Sequence, residues 1–120
     1  MLTTLVLLAA AVTAPVEIDY TAAKARADAQ EAALSPAMQR ALRDAQRKRV
    51  DRALSVCESD GRPTPFNIVL ELDAAGRTVN KWRDADTVLA KCFEAQVSAQ
   101  PFFVPEQAPF YTFFEFTFTP

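Results

Sequence analysis

The chain has 120 residues and half of them are apolar, which bounds it to one domain with a small core. A formal net charge of -2 gives no general electrostatic reason to bind nucleic acid. Histidine is absent, which removes the commonest general base and a common metal ligand; carboxylate or lysine chemistry stays open.

The chain opens MLTTLVLLAAAVTAPVEIDY, with an uncharged apolar run through Leu2, Leu5–Leu8 and Ala9–Val12. This is shorter than the ~20 apolar residues of a membrane-spanning helix and matches the apolar region of a signal peptide, with small residues following. The expected mature chain starts after residue 14, or after residue 11 because Pro15 follows the first site. The alternative is a buried first helix or strand. No cysteine stands near the end of the run, so a lipid anchor is not expected.

Residues 15–35 follow as an alanine-rich segment, with TAAKARADAQEAAL at its centre. Its helix propensity is high, but it has few large apolar groups with which to dock, so it reads as a spacer or loosely attached helix. Ser35-Pro36 then starts a helix, serine as N-cap and proline at the first helical position. That helix runs to about Cys57, with Leu42, Ala45, Val50, Ala53, Leu54 and Cys57 as its apolar stripe. Its other face carries Arg40, Arg43, Asp44, Arg47, Lys48, Asp51 and Arg52, read as a solvated face with Arg40/Asp44 and Arg47/Asp51 pairs. A surface for anionic lipid or glycan phosphate is the functional alternative.

ESDGRPTP ends the helix, and FNIVLELDAAGRTVNKW reads as a hairpin. Phe66, Ile68, Leu70 and Leu72 alternate with Asn67, Val69 and Glu71, Asp73–Gly76 turns the chain, and Arg77–Trp82 returns with Val79 inward. Asp84 or Asp86 is the expected cap of a second helix whose stripe is Val88, Leu89, Cys92, Phe93 and Val97. Pro101, Pro105 and Pro109 make the next segment extended. FYTFFEFTFTP is a final strand: Phe110, Thr112, Phe114, Phe116 and Phe118 on the core face, Tyr111, Phe113, Glu115 and Thr117 on the other.

The two cysteines, Cys57 and Cys92, both fall on apolar helix faces. Two separate buried thiols are one outcome. An export signal with an even cysteine count favours a bridge instead, worth roughly 3–4 kcal/mol on the chain-entropy argument. No CxxC pair supports a redox site, and a catalytic thiol would lack a histidine base.

The expected fold class is α+β: helix-strand-strand-helix-strand over residues 36–120, a small three-stranded antiparallel or mixed sheet with the helices packed on one face. The third strand is expected beside the first hairpin strand and at an edge. From about Arg40 to Pro120 the chain resembles the TonB C-terminal-like superfamily, in particular the AgmX/PglI-type C-terminal domain. The resemblance rests on the helix ending in Cys57, then FNIVLELDAAGRT, LAKCF, a proline-containing segment and the aromatic FYTFFEFTF strand. It implies a fold and a periplasmic setting. It does not imply energy transduction, because the leading run is short and lacks the transducer's histidine, and the long proline-rich region is missing.

The expected function is that of a non-enzymatic periplasmic module that binds a protein or extended peptide at its sheet edge, with Tyr111, Phe113 and Glu115 as partner-binding residues. No catalytic, cofactor-binding or metal-ligating residue, no cofactor and no nucleic-acid partner is expected; edge pairing leaves self-association open. The alternative is a periplasmic immunity or inhibitor protein against a secreted toxin, separable by a neighbouring gene for such an effector. An enzyme acting on cell-wall material would need paired carboxylates such as Glu71 and Glu115 in a cleft. Tyr111 and Phe113 are either open to a partner or covered by the alanine-rich segment.

Overall fold

The computed structural model describes residues 17–59 and 61–119; the apolar leader, residues 1–14, lies outside them. In chain order the elements are α1 (Tyr20–Ala32), α2 (Pro36–Val56), β1 (Phe66–Leu72), β2 (Thr78–Arg83), α3 (Val88–Ser98) and β3 (Phe110–Phe116). The strands form one three-stranded antiparallel sheet in the order β2-β1-β3. From α2 onward this is the expected helix-strand-strand-helix-strand layout, and α3 carries the chain across β1 so that β3 runs in the same direction as β2.

Local chemistry sets the element ends. Ser35 Oγ accepts from the Met38 N–H (3.2 Å) and Pro36 opens α2. Thr87, rather than either aspartate, caps α3, its hydroxyl accepting from the Ala90 N–H at 3.1 Å. Asp84 instead faces β1, taking the Asn67 N–H at 2.7 Å. In the hairpin turn Asp73 Oδ1 accepts from the N–H groups of Ala75 and Arg77, both at 2.9 Å. Gly76 there has φ +81°, and a Cβ on it would stand 2.5 Å from the Phe103 carbonyl oxygen, so the turn also seats the proline-containing segment.

On one sheet face α2 and α3 close the main core over Phe66, Ile68, Leu70, Leu72, Phe110, Phe114 and Phe116. Phe93 of α3 stacks on Phe116 with ring centroids 4.8 Å apart, and Phe66 sits 4.9 Å from Phe116. Burying each such ring contributes about 2–3 kcal/mol. Leu54, Val79 and Val88, expected inside, are half or more exposed at 57%, 50% and 66%. The register shift opposite Glu71/Leu72 turns Val79 out, while Leu54 and Val88 lie past the edges of their helices' buried stripes. The expected Arg40/Asp44 and Arg47/Asp51 pairs do not form among the described residues. Arg43 instead reaches Glu31 (3.1 Å) and Arg49 donates to the Pro101 carbonyl (2.9 Å).

The alanine-rich segment is not a loose spacer. As α1 it lies on the opposite sheet face, with Ala23 and Ala27 fully buried against Val69 and Tyr111. Alanines four apart form one small-residue stripe, and the sheet supplies the bulk they lack.

Cys57, the C-cap of α2, is bonded to Cys92 in α3 with Cα atoms 5.8 Å apart and a sequence separation of 35. The bridge ties the two core-covering helices at a single point. We expect Cys92→Ser to cost about 3–4 kcal/mol in denaturant unfolding, with a larger m-value, since the unfolded chain, released from the loop, exposes more surface. Protein taken from an oxidising compartment should show no alkylatable thiol after denaturation; two titratable thiols would contradict the bridge.

Candidate functional site

A three-stranded sheet has two edges, and this one treats them differently. At β3, Tyr111 and Phe113 turn their backbone groups away from β1. The Tyr111 N–H donates to Gln30 Oε1 (2.6 Å), while Gln30 Nε2 donates to the Pro109 carbonyl (2.9 Å). The Phe113 N–H donates to Glu31 Oε2 (2.7 Å) and its carbonyl accepts from Gln46 Nε2 (3.0 Å). Side-chain amides and a carboxylate therefore stand where the backbone of a fourth strand would lie. Thr112 Oγ1 ties them together, accepting from Gln46 Nε2 and donating to Glu31 Oε2, both at 2.9 Å.

The same pattern fixes the other edge. Because Phe113 points outward, alternation places the paired backbone groups of β1 toward β2 at Asn67, Val69 and Glu71; the Asn67 carbonyl accepts from the Asp84 N–H (3.3 Å). On β2, Asn80 and Trp82 then face β1, and Lys81 and Arg83 present their backbone groups outward. Most of β2 is exposed or half-exposed along its length.

Beside this open edge, on the α1 side, lies a groove of about 450 Å³ lined by Ile18, Arg26, Glu71, Asn80, Trp82 and Tyr111, with Glu17 and the strand at Lys81 completing it. The Trp82 indole N–H donates to the Ile18 carbonyl (2.9 Å), and its ring lies 5.8 Å from that of Tyr111. Tyr111 Oη donates to Glu71 Oε1 (2.9 Å) and accepts from Arg26 Nη1 (3.1 Å). Burial, then the hydrogen bond to Glu71, pushes the Tyr111 hydroxyl above the ordinary tyrosine range.

The three residues expected to meet a partner have different fates. Tyr111 is buried beneath α1, Phe113 is half-buried with Lys24 Nζ 4.8 Å from its ring centroid, and Glu115 is exposed. The sheet face expected to be open on their side is covered by α1, because Ala23 and Ala27 let the helix approach closely. Glu71 and Glu115 are not brought together: Glu71 pairs with Tyr111 and Glu115 with Asn67, four residues along β1, or about 13 Å, beyond the separation that glycoside hydrolysis uses. No group of three carboxylates or thiols among the described residues converges to hold a metal ion. Sequence reasoning missed Trp82 and the β2 edge. The signal was the alternation of the return strand, which by itself puts Trp82 on the face opposite Lys81 and Arg83, the face of Tyr111. Comparison with protein-family models, with curated proteins and with solved structures gives no match.

Two outcomes are expected. Glu31→Ala should cost about 1–3 kcal/mol, because the Phe113 N–H loses its acceptor, and hydrogen exchange at Phe113 should quicken more than at Ile68. Raising the pH above about 10 should destabilise the fold through Tyr111. The folded state holds that proton more tightly, so its contribution is complete below the unfolded value and fades as pH climbs through the folded one. Tyr20, raised chiefly by burial, and Lys24, raised by its hydrogen bond to Asp28, act in the same direction. Tyr111→Phe should therefore flatten part of the alkaline loss in pH-dependent melting.

Proposed function

We propose that the chain is an exported, non-enzymatic protein-binding module that takes an extended peptide segment along the outer edge of β2. The observation that carries this reading is the contrast between the edges: β3 is sealed at Tyr111 and Phe113, whereas β2 offers, at Lys81 and Arg83, backbone groups without a partner among the described residues, beside an aromatic groove. Strand addition supplies affinity through backbone hydrogen bonds and selectivity through alternate side chains, and a groove on one side of the edge suits that arrangement. The binding residues expected on β3 give way to β2, with Tyr111 kept as part of the groove.

Export is supported by the Cys57–Cys92 bridge, since disulfides persist in oxidising compartments, and by the apolar leader. Among the described residues no helix is long and apolar enough to cross a membrane. The resemblance to the TonB C-terminal-like superfamily makes the periplasm the compartment of this reading.

Lys81→Pro tests the edge. It removes an outward N–H while leaving the pairing of β1 with β2 through Asn80 and Trp82 in place. Peptide partners captured from periplasmic extract should bind this variant at least about tenfold more weakly. Lys81→Ala, which keeps the N–H, should bind as the wild type does. Unchanged affinity in a folded Lys81→Pro protein would remove β2 as the site and point to the arginine-bearing face of α2.

A further inference from the structure

The groove beside β2 holds a carboxylate with one free oxygen and, among the described residues, no direct cation partner. Glu71 Oε1 is engaged twice, by Tyr111 Oη at 2.9 Å and by Asn80 Nδ2 at 3.1 Å. Among the described residues its Oε2 takes no hydrogen bond, and the carboxylate belongs to no ion pair. No nearby cation touches the carboxylate directly. Arg26 reaches it only through Tyr111: its Nη1 donates to Tyr111 Oη (3.1 Å), and its guanidinium carbon lies 5.3 Å from the ring centroid. Lys81 turns its ammonium to the opposite sheet face, 3.9 Å from Glu94 Oε1, where Arg83 Nη1 also binds at 2.8 Å. Glu17 adds a second carboxylate to the groove, and among the described residues it too is in no ion pair.

A strand added at β2 would lie about 4.8 Å outside it and about 10 Å from β1, where Glu71 sits. Its side chains on the α1 side would enter the groove past Asn80 and Trp82. A long aliphatic stem ending in a cation can lie along the half-buried indole and carry its charge across β2 toward Glu71; a short side chain falls short, and an acidic one meets like charge. We infer that the segment bound at β2 carries a lysine or arginine into this groove, over Trp82 and onto the free oxygen of Glu71. This rests on the edge reading above and names the side chain that the edge selects.

The test is selection of a random eight-residue peptide library on the immobilised wild-type protein. Synthetic copies of the enriched sequence then follow, with arginine, glutamine or glutamate at the groove-facing position. Trp82 is the only tryptophan of the chain, so its fluorescence reports occupancy of the groove directly. Enriched peptides should share a basic residue, the arginine copy should bind at least about tenfold more tightly than the glutamate copy, and Glu71→Gln should abolish that preference. Glutamine keeps an acceptor for Tyr111 and Asn80. If that variant nevertheless fails to fold, the comparison of arginine and glutamate copies on the wild type still decides. Equal binding of the two copies, or an arginine preference that survives Glu71→Gln, would overturn the assignment of a cation to Glu71 while leaving strand addition standing. No enrichment on the wild-type protein would overturn both.

Discussion

Every edge strand carries outward backbone groups that need partners, and the arrangement of this molecule follows from how those of β3 are satisfied. Gln30 and Glu31 from α1 and Gln46 from α2 hold the outward groups of Tyr111 and Phe113. The last turn of α1 must therefore reach the β3 edge, and α2 must run along it from the other sheet face. An aromatic strand with an unprotected edge would be a template for pairing with other chains. Capping it with side chains stabilises the monomeric sheet and links the two helical layers through Thr112.

The core depends on the same arrangement. β1 is central, so it is buried on both faces: Ile68 and Leu70 beneath α2 and α3, Val69 beneath α1. The bridge between Cys57 and Cys92 holds the C-terminal end of α2 to α3 above that core. With α1 lying toward β3, the half of its sheet face nearest β2 is left as a groove. Trp82 and Ile18 close one end of it, and Arg26, Tyr111 and Glu71 form its polar wall. The groove and the open strand are thus two consequences of where one helix sits.

Much of the layout is legible in residue types alone. Ser35-Pro36, Gly76, the strand alternation of FNIVLEL and the aromatic alternation of FYTFFEF state helix start, turn and strands, because each reflects backbone constraints acting within a few residues. Both cysteines fall where helical periodicity puts apolar residues, and they meet. The docking of α1 was not legible, because a helix that buries alanine relies on the volume of its neighbours, and that volume belongs to Val69 and Tyr111, more than forty residues away in the chain. Val79 was misread because a bulge opposite Glu71/Leu72 changes its side of the strand, and a bulge is a property of the pair.

The sequence by itself determined the order and type of the elements from α2 onward, the core faces of β1 and β3 and the pair of residues available for a disulfide, since all of these follow from periodicity and short-range stereochemistry. Tertiary structure alone decided which edge is sealed. Glutamine and glutamate at positions 30, 31 and 46 look like ordinary polar surface residues in a linear reading. They become substitutes for a strand only when two helices bring them to the backbone of residues more than sixty positions away. Nor does the chain order show that Glu71 has no ion pair among the described residues, because packing sets Arg26 of α1 behind the Tyr111 hydroxyl and turns Lys81 of β2 to the opposite sheet face.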